Sequence, residues 1–543
     1  MKSEINLLDC TLRDGGYLND WEFGKDNIIN IYERLVSAEV DIIETGFIDE
    51  RRIYDPNRSI FPDTESIGRT YGKLSKGNSM IVGMIDYGTC GIEHVQPQTE
   101  CYLDGIRVIF KKHKMDEAIA FCKQIKDLGY KVFVQAVSIT SYNDEELERL
   151  SRLVNNMEPY AFSLVDTYGL LHRGRLMHYF NFVCSHLKES IAIGYHAHNN
   201  FQLAYANCIE LLDNPPNNRT MIVDGTLYGM GKSAGNTPIE LLIMYMNEHY
   251  GTHYHNSQIM EAIDVTMLDI RRQITWGYSF KFFLSASHDC HPNYVSYLLD
   301  LGKLSIKSVG EILDQIETKR KLTYDAEYIR ELYLEYQKNH CDDTDAKVQL
   351  QRELRDKYII VLGPGQNVYK QRDRVDRYIK LMIDAGRKRS DIVLISINFI
   401  PEGYDVDYVF MSNAKRYVQL CSALNEKKGD SKLIATSNIT RTLGEFDYTL
   451  NYSELLDEEA MMPDNPMIMM LKLLKDLGVC YGIALAGFDG YKEASLTNYV
   501  NPNMEYTMSE SKAIGINNDA VKGIEKLGMS DNVIFITDTL YII

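Results

Sequence analysis

The 543-residue chain lacks several features that mark common classes of protein. Its ten cysteines include no C-x-x-C pair, so reduced thiols in a cytoplasm are expected. The N-terminal run Met-Lys-Ser-Glu-Ile-Asn has no long apolar core of the secretory type. No apolar stretch approaches the roughly 20 residues that a bilayer span needs. These absences predict a cytoplasmic protein without a membrane partner.

Positive charge is also scarce in this sequence. The 58 lysines and arginines are outnumbered by 76 acidic residues, which gives a formal net charge of −18 and a pI near 5.3. No cluster of Lys and Arg interrupts this acidic background. A nucleic-acid partner is therefore not expected.

Short apolar runs that resemble β-strands recur along the first 230 residues, with helical stretches between them. Their starts lie 25 to 40 residues apart, which fits a strand followed by a crossover helix. The stretches 116–128 and 144–157 read as amphipathic helices that open with an acidic residue. An eightfold alternation of this kind predicts a (β/α)₈ TIM barrel. The eight runs are 5–9, 40–44, 80–84, 106–110, 131–135, 161–165, 191–195 and 220–223.

The chain is longer than one barrel requires, so further domains are expected. We assign 1–251 to the barrel and 252–340, which is helical and rich in Tyr, His and Leu, to an extension that caps it. The polar stretch 339–347 reads as a boundary. A second alternation then predicts a smaller, open α/β, Rossmann-like domain over 351–543. Its strand-like runs are 358–362, 391–397, 408–411, 432–435, 479–484 and 533–536.

Asp14 and the His196-Ala-His198 pair each close an apolar run, and barrel active sites lie at that carboxyl-terminal rim. Two imidazoles and a carboxylate suit a divalent cation: Mn²⁺, with Mg²⁺, Co²⁺ and Zn²⁺ as alternatives. Both histidines reach one metal only if their strand ends or bends there, because neighbouring side chains on a strand alternate between faces. The competing interpretation is that the histidines are hydrogen-bonded barrel residues. Cys10 is expected to be a small packed residue.

Three motifs in order resemble the DRE-TIM metallolyases over about residues 1–300. They are Thr-Leu-Arg13-Asp14-Gly, the His196-Ala-His198-Asn-Asn stretch, and the loop from Asp224 through Gly-Met-Gly-Lys-Ser-Ala-Gly to Asn236. The family includes hydroxymethylglutaryl-CoA lyase and isopropylmalate-type synthases. The chain most resembles its 4-hydroxy-2-oxovalerate aldolases.

The resemblance implies a metal held by Asp14, His196 and His198, with Asn236 as a further ligand. Arg13 would face a 2-oxo acid, and the cation together with Arg13 would stabilise the enolate left by a retro-aldol cleavage. Pyruvate and an aldehyde would be the products. A homo-oligomer and a partner enzyme that processes the aldehyde are further implications that the residues do not decide.

Two departures from the family bear on the reaction. Tyr17 stands where the aldolases place a histidine base, so Tyr17 is expected to be catalytic only if its pKa lies well below about 10 or it relays the proton. His113, His288 and His291 are alternative bases. Gly16 stands where the acyl-CoA condensing synthases carry a glutamate, which weakens the Claisen-type synthase interpretation. An aldolase and an acyl-CoA lyase both stay open, and the resemblance of the loop that ends at Asn236 favours the aldolase.

Other polar residues are expected to support the site or contact substrate. Glu44 and Asp166 are interpreted as groups that orient an arginine or an imidazole. Arg107 and Gln135 fall on neighbouring strands, within the same expected rim. Three glycines of the last motif loop, Gly229, Gly231 and Gly235, fit either an anion site or a tight turn.

The C-terminal domain carries a weaker signal. Gly363 and Gly365 follow a strand and could bring backbone N–H groups to a phosphate, although Val368 replaces the third glycine of the dinucleotide fingerprint. The run also faintly resembles the first loop of bacterial sialyltransferase-like and surface-polysaccharide domains. We expect either nucleotide or nucleotide-sugar binding, which would make the protein bifunctional, or a plain structural turn.

Overall fold

The chain divides into two compact units, Met1–Pro292 and Asn293–Ile543. The structure is a computed structural model of the full chain. It describes residues 4–216, 218–321, 324–338, 341–427, 431–439, 446–479, 482–493, 499–500 and 508–541. Within these ranges no helix is both long and apolar enough to cross a membrane.

A closed parallel barrel forms the first unit. The first strand pairs with both the second and the last, so eight strands complete a ring in the described part of this unit. A further short strand, Ile60–Phe61, pairs only with Phe47 and Ile48 at the end of the second strand of the ring. Each of the eight predicted runs overlaps one strand of the ring, and the predicted TIM barrel is confirmed. The strands are β1 (Ile5–Asp9), β2 (Ile42–Ile48), β3 (Ile60–Phe61), β4 (Met80–Asp86), β5 (Gly105–Phe110), β6 (Lys131–Ala136), β7 (Ala161–Asp166), β8 (Ala192–Ala197) and β9 (Met221–Gly225).

Amphipathic helices cover the outside of this barrel. The helix predicted at 144–157 begins with a capping box, in which the Asn143 side chain accepts from the Glu146 N–H while Glu146 accepts from the Asn143 N–H. Its buried residues recur at helical spacing and pack in the barrel's outer core. The helices are α1 (Thr11–Asp14), α2 (Lys25–Ser37), α3 (Thr64–Tyr71), α4 (Met115–Asp127), α5 (Asp144–Met157), α6 (Arg173–His186), α7 (Ala204–Asp213) and α8 (Ile239–Tyr250).

The segment predicted as a single cap is helical but is divided between the two units. Residues from Asn293 onward belong to the second unit, where Lys303 pairs with Asp464 and the Tyr333 hydroxyl donates to Asp464 Oδ2 at 3.3 Å. That 252–292 cap the barrel stays a prediction. The helices here are α9 (Asn256–Ala262), a π-helical turn (Ile263–Met267), α10 (Leu268–Gln273), α11 (Phe280–Ser287), α12 (Pro292–Asp300), α13 (Ile306–Asp314) and α14 (Ala326–Gln337).

The second unit is built on an open sheet whose strands are all parallel, so the predicted open α/β domain is confirmed. Its strand order is β14-β13-β12-β11-β10-β15-β16. The strands are β10 (Tyr358–Leu362), β11 (Ile392–Ile397), β12 (Tyr408–Met411), β13 (Lys432–Thr436), β14 (Tyr448–Leu450), β15 (Ile483–Ala486) and β16 (Val533–Phe535). The helices are α15 (Thr344–Leu354), α16 (Asn367–Lys370), α17 (Arg372–Asp384), α18 (Ala414–Lys427), α19 (Pro466–Asp476) and α20 (Glu510–Lys526).

Local differences from the predicted pattern have simple causes. Helix α15 begins within the stretch expected to be a boundary and takes up residues 344–347 of it, because Leu350 and Leu354, four residues apart, bury one helical face in the core of this unit. Residues 339–340 of that stretch lie outside the described residues. Strand β14 has only three residues, too few for a pattern to reveal. Strand β15 begins at Ile483, later than the predicted run, of which 480–481 are not described.

Candidate metal centre

A sharp turn after β1 brings Arg13 and Asp14 to the carboxyl-terminal rim of the barrel. The Asp9 carboxylate accepts from the Thr11 N–H at 2.9 Å and from the Thr11 hydroxyl at 2.8 Å. Strand β1 therefore passes directly into the single turn of α1 that carries both residues. Burial raises the pKa of Asp9 to about 7, against the opposing effect of its bonds to Thr11.

The two histidines reach the same space because their strand ends between them. Strand β8 stops at Ala197, and His198 instead forms an isolated bridge with Asn236. The ring centroids of His196 and His198 are 5.2 Å apart, with planes 85° to each other. The strand end that the metal interpretation requires is present.

Asp14 lies at the centre of the four residues expected to bind metal. Its Oδ2 atom is 3.0 Å from His196 Nε2, 3.7 Å from His198 Nε2 and 2.7 Å from Asn236 Nδ2. Two ligands that each lie about 2.1 Å from one ion are about 3.0 to 3.4 Å apart. Asp14 and both histidines thus lie at spacings close to those of a shared cation.

Hydrogen bonds determine which ring nitrogens are available as ligands. His198 Nδ1 lies 3.0 Å from the Lys232 carbonyl oxygen, which can only accept, so Nδ1 carries the proton and Nε2 keeps its lone pair. His196 Nδ1 lies 3.0 Å from Asp224 Oδ2 and donates in the same way. Both Nε2 atoms face Asp14, as expected for histidine ligands whose other nitrogen is bonded to an acceptor.

Protonation in this cluster follows from burial and charge. Burial opposes ionisation of Asp14, but Arg13 and the two imidazoles outweigh it and hold the pKa of Asp14 well below its usual range. Burial lowers the pKa of His198 to about 4, so His198 is neutral at pH 7. Burial also disfavours protonated His196, yet hydrogen bonds to Asp14 and Asp224 raise its pKa overall.

A network of buried charges surrounds the candidate ligands. Arg13 Nε donates to Glu44 Oε2 at 2.8 Å, and Arg107 NH1 lies 3.1 Å from the same oxygen. Arg107 also pairs closely with Asp224 and donates to Gln135 Oε1 at 3.3 Å. Glu44 therefore contacts both arginines, and Gln135 extends the network to a neighbouring strand.

Two further observations support a divalent cation at this set of donor atoms. The Asn236 Oδ1 atom is buried and has no hydrogen-bond partner among the described residues, so this side chain retains an unused acceptor. Two guanidinium groups, on Arg13 and Arg107, meet three carboxylates, on Asp14, Glu44 and Asp224, which leaves one negative charge. That charge is balanced either by a proton on His196 or by a bound cation.

Cys10 lies nearer to this site than its expected packing role suggests. Ligand atoms of Cys10, Asp14 and His196 all lie within 4.8 Å of one another. Burial raises the pKa of the Cys10 thiol well above its usual value, and Sγ donates to the Gly225 carbonyl oxygen at 3.5 Å. A protonated thiol with this partner is consistent with a packed residue.

Tyr17 lies at the rim, but its environment opposes a base. Its ring packs against Trp21 and Phe47, with centroids 5.0 and 5.7 Å away. Tyr17 is 39% exposed, yet desolvation at the rim still raises its pKa above the usual value, and only Arg13, among its main influences, acts in the opposite direction. The hydroxyl therefore keeps its proton at neutral pH.

Asp166 has a different role from the one expected for it. Its carboxylate accepts from the N–H groups of Leu170 at 2.9 Å and Leu171 at 3.1 Å. It thus stabilises the loop after β7, and no arginine or imidazole bonds to it among the described contacts. Burial raises its pKa to about 6.

Two residues, Asp224 in β9 and Lys232 in the loop after it, were not assigned a role from the sequence. Asp224 holds both His196 and Arg107. Lys232 places its ammonium 5.1 Å from the centre of the Tyr17 ring, and no carboxylate lies within 4.0 Å of it among the described residues. The position of Lys232 inside the motif loop is the sequence feature that could have identified it. The glycines of this loop fit a tight turn, since a Cβ on Gly235 would lie 2.1 Å from the Gly229 carbonyl oxygen.

The glycine loop of the second unit does not present free N–H groups to a phosphate. Gly363 N donates to the Ala486 carbonyl and Gly365 N to the Gly487 carbonyl, each at 2.8 Å. A Cβ on either glycine would lie within 2.6 Å of the Gly487 oxygen. Close packing of two loops therefore accounts for both glycines, as the structural-turn alternative expects.

Comparisons with known proteins agree with this geometry. Residues 91–266 match the HMGL-like family model, so the barrel carries an HMGL-like domain of the DRE-TIM kind. The 4-hydroxy-2-oxovalerate aldolase of Pseudoalteromonas translucida is 22% identical over 332 residues, which cover 58% of this chain and 94% of the relative. Oxaloacetate decarboxylase of Mycobacterium tuberculosis is 25% identical over 240 residues, covering 44% and 68%.

Among solved structures, the Bacillus subtilis HMG-CoA lyase is 17% identical, with a TM-score of 0.40 over 51% of this chain and 95% of that chain. The family match and the aldolase-named relatives support an enzyme of the metal-dependent aldolase or lyase kind that breaks a carbon–carbon bond.

Proposed function

We propose that the barrel is a divalent-metal-dependent aldolase that cleaves a 4-hydroxy-2-oxo acid to pyruvate and an aldehyde, or forms it in reverse. The observation that carries the proposal is the convergence of Asp14, His196, His198 and Asn236 beside Arg13. Mn²⁺ is the cation we expect, with Mg²⁺, Co²⁺ and Zn²⁺ as alternatives.

When bound, the cation would supply Lewis-acid polarisation of the substrate's 2-oxo group. Arg13 adds a fixed positive charge next to it. Its guanidinium is 5% exposed, is held by Glu44, and has a pKa raised well above its usual value by Glu44 and Asp14 despite burial. It can donate to the oxygen on which charge accumulates as the carbon–carbon bond breaks.

Lys232 is proposed to bind an anionic group of the substrate. Its ammonium is partly buried over Tyr17 and has no carboxylate within 4.0 Å among the described residues, so the attraction of Asp14 and Asp86 offsets its desolvation only in part. A substrate carboxylate would supply the missing partner. This assignment predicts a role in substrate affinity rather than in the bond-breaking step.

Tyr17 is not proposed as the base, and among the alternative histidines His291 is the candidate that we would test first. The raised pKa of Tyr17 suits a hydrogen-bond donor and not a base. Burial, followed by the charge of Lys232, lowers the pKa of His291, so its imidazole is neutral and lies within electrostatic range of that lysine. His291→Ala should lower kcat by about 10²-fold or more, whereas His113→Ala should not; equal effects would contradict this choice.

The space beside Gly16 argues against the alternative acyl-CoA synthase. An added Cβ there would lie 2.0 Å from Trp21 Cδ1, and the Trp21 indole N–H donates to the Arg13 carbonyl at 2.8 Å. The indole therefore fills the space that a longer side chain at this position would need. An acyl-CoA lyase remains a second candidate on the same barrel.

Pyruvate release from 4-hydroxy-2-oxo acids, measured before and after metal removal, tests the proposal. Chelator-treated protein should lose the activity and recover it with Mn²⁺. His196→Ala should abolish it, while His186→Ala, an exposed histidine at the end of α6, serves as the matched control. Activity that ignores metal, or that persists in His196→Ala, would overturn the aldolase assignment.

A further inference from the structure

A groove opens at the amino-terminal edge of the sheet in the second unit. It lies between the last turn of α15, the first residue of β10 and the segment 477–479 that follows α19. It encloses about 630 Å³, and sites for small ligands span roughly 300 to 1,000 Å³. The groove is therefore large enough to hold a small molecule.

Contacts of the fold join the walls of this groove. Gln351 Nε2 donates to the Leu477 carbonyl oxygen at 3.1 Å and ties α15 to the end of α19. Strand β10 pairs with β11 on one side and with β15 on the other, so Tyr358 begins one of the inner strands of the sheet. The groove is consequently formed before a ligand arrives, and binding does not have to order these segments.

Positive charge is concentrated in this groove. Arg352, Arg355, Lys357 and Arg387 line it, and Asp356 is the single acidic residue of the lining among the described residues. The protein as a whole carries a net charge of −18, so the sign is reversed here. Strand β10 and helices α16 and α17 separate Arg387 from the other three cations along the chain, which is why the sequence shows no cluster.

Two of these cations already have partners. Lys357 Nζ donates to the Ser390 carbonyl oxygen at 2.7 Å and lies 3.8 Å from Asp391 Oδ1. Arg355 Nε lies 3.8 Å from Asp356 Oδ2, and both of these side chains are exposed. These contacts balance part of the positive charge and leave two arginines.

The remaining cations, Arg352 and Arg387, have no acidic partner. Within the part of the chain that the structure describes, no carboxylate oxygen lies within 4.0 Å of either guanidinium. Arg352 lies in the last turn of α15 and is exposed. The Cζ atom of Arg387 is 4.6 Å from the centre of the Tyr358 ring, a contact that positions the guanidinium without neutralising it. Two guanidinium groups are thus available to an anion.

The rest of the lining favours a ligand that is recognised by its charge. Tyr358 is the one aromatic residue in the described lining, and its ring already packs against Arg387 and against Gly482, where an added Cβ would lie 2.5 Å from Tyr358 Cδ1. Leu477 and Val479 are buried and present little apolar surface. A nucleobase or a lipid chain would find little to pack on, whereas an anion would find several N–H donors.

We propose that this groove binds a small polyanion that carries two or more neighbouring phosphate or carboxylate groups. Arg352 and Arg387 bind its anionic groups through paired N–H donors, a geometry that suits phosphate and carboxylate alike. Arg355 and Lys357 add to the attraction through their local field. The proposal concerns the second unit alone and is independent of the barrel's aldolase activity.

Calorimetric titration tests the proposal with four probes: pyrophosphate, citrate, inorganic phosphate and acetate. The full-length protein is first freed of metal with a chelator, because both polyanions bind divalent cations. Pyrophosphate or citrate should bind at least tenfold more tightly than phosphate or acetate, and the affinity should fall as salt is added. Tighter binding of pyrophosphate identifies a phosphate site, and tighter binding of citrate identifies a carboxylate site. Absence of binding by both polyanions at millimolar concentration overturns the proposal.

Variants show whether the polyanion binds in this groove. Arg352→Met and Arg387→Met should each weaken the polyanion at least tenfold, and Arg387→Lys should weaken it less. Arg377→Met, which changes an exposed arginine on α17 that is paired with Asp373, should leave binding unchanged. Circular dichroism checks that each variant is folded.

The competing account is that Arg352 only stabilises the carboxyl-terminal end of α15, where a cation is favourable. That account predicts a lower melting temperature for Arg352→Met with no change in polyanion affinity. Unchanged affinity in a folded double variant, Arg352→Met with Arg387→Met, would refute the site.

Discussion

Replacing Asp224 by asparagine removes the charge that holds His196 and Arg107 while nearly preserving side-chain shape. In the wild type, Asp224 Oδ2 accepts from His196 Nδ1 at 3.0 Å and pairs closely with Arg107 NH2. Both partners are buried, since Arg107 is 0% and His196 is 3% exposed. We therefore expect the substitution to lower both the metal affinity and the folding stability, and the two effects can be measured separately.

The two magnitudes follow from these contacts. Breaking one side of a buried ion pair costs about 3 to 5 kcal/mol, and we expect the lower end because Arg107 keeps Glu44 at 3.1 Å. At about 2 °C per kcal/mol for a large domain, the barrel should unfold about 6 °C lower. Loss of the group that orients a histidine ligand typically weakens metal binding by about 10- to 100-fold.

Calorimetric titration with Mn²⁺ and thermal unfolding of the metal-free protein measure the two effects. Asp116→Asn is the matched control, because it breaks an exposed pair with Arg149 and should change neither quantity measurably. His196→Ala provides the reference for loss of a direct ligand. If Asp224→Asn binds Mn²⁺ as tightly as wild type while His196→Ala does not, Asp224 does not position the ligand and our account of the network is wrong.

Three further substitutions test individual residues of the rim. Tyr17→Phe should keep kcat within about tenfold, because the raised pKa of Tyr17 excludes a base; a steady-state loss of 10²-fold or more would contradict this. Lys232→Met should raise KM for the 2-oxo acid by about 10- to 100-fold with a smaller change in kcat, and a change confined to kcat would refute a binding role. Gly16→Ala should displace Trp21, shift its fluorescence and cost about 1 to 3 kcal/mol of stability. Gly68→Ala, where an added Cβ meets nothing within 4 Å, should not destabilise the protein, and equal thermal shifts for the two variants would count against the packing argument.

Much of the architecture follows from local patterns. Each barrel strand is a short apolar run buried on both faces, and the amphipathic helices between them repeat at helical spacing, so neither signal needs distant contacts. The same logic fails for β14, whose three residues carry too little pattern, and for α15, whose polar surface conceals the buried pair Leu350 and Leu354.

The sequence predicted which residues form the candidate site, but it predicted much less well what each of them does. Asp14, His196, His198 and Asn236 carry recognisable motifs, and they do converge. The bonds that assign roles join residues far apart in the chain. Asp166 bonds its own loop instead of an arginine, and nothing next to it in the sequence distinguishes the two outcomes.

By itself, the sequence determined the order of strands and helices, the barrel that they form and the residue types offered at its rim, because strand and helix periodicities are local properties. Only the tertiary structure decided which nitrogen of each histidine faces Asp14, that Asp224 holds both His196 and Arg107, and that Tyr17 keeps its proton. Those properties depend on burial and on partners brought together when β9 closes against β1, across more than 200 residues of chain.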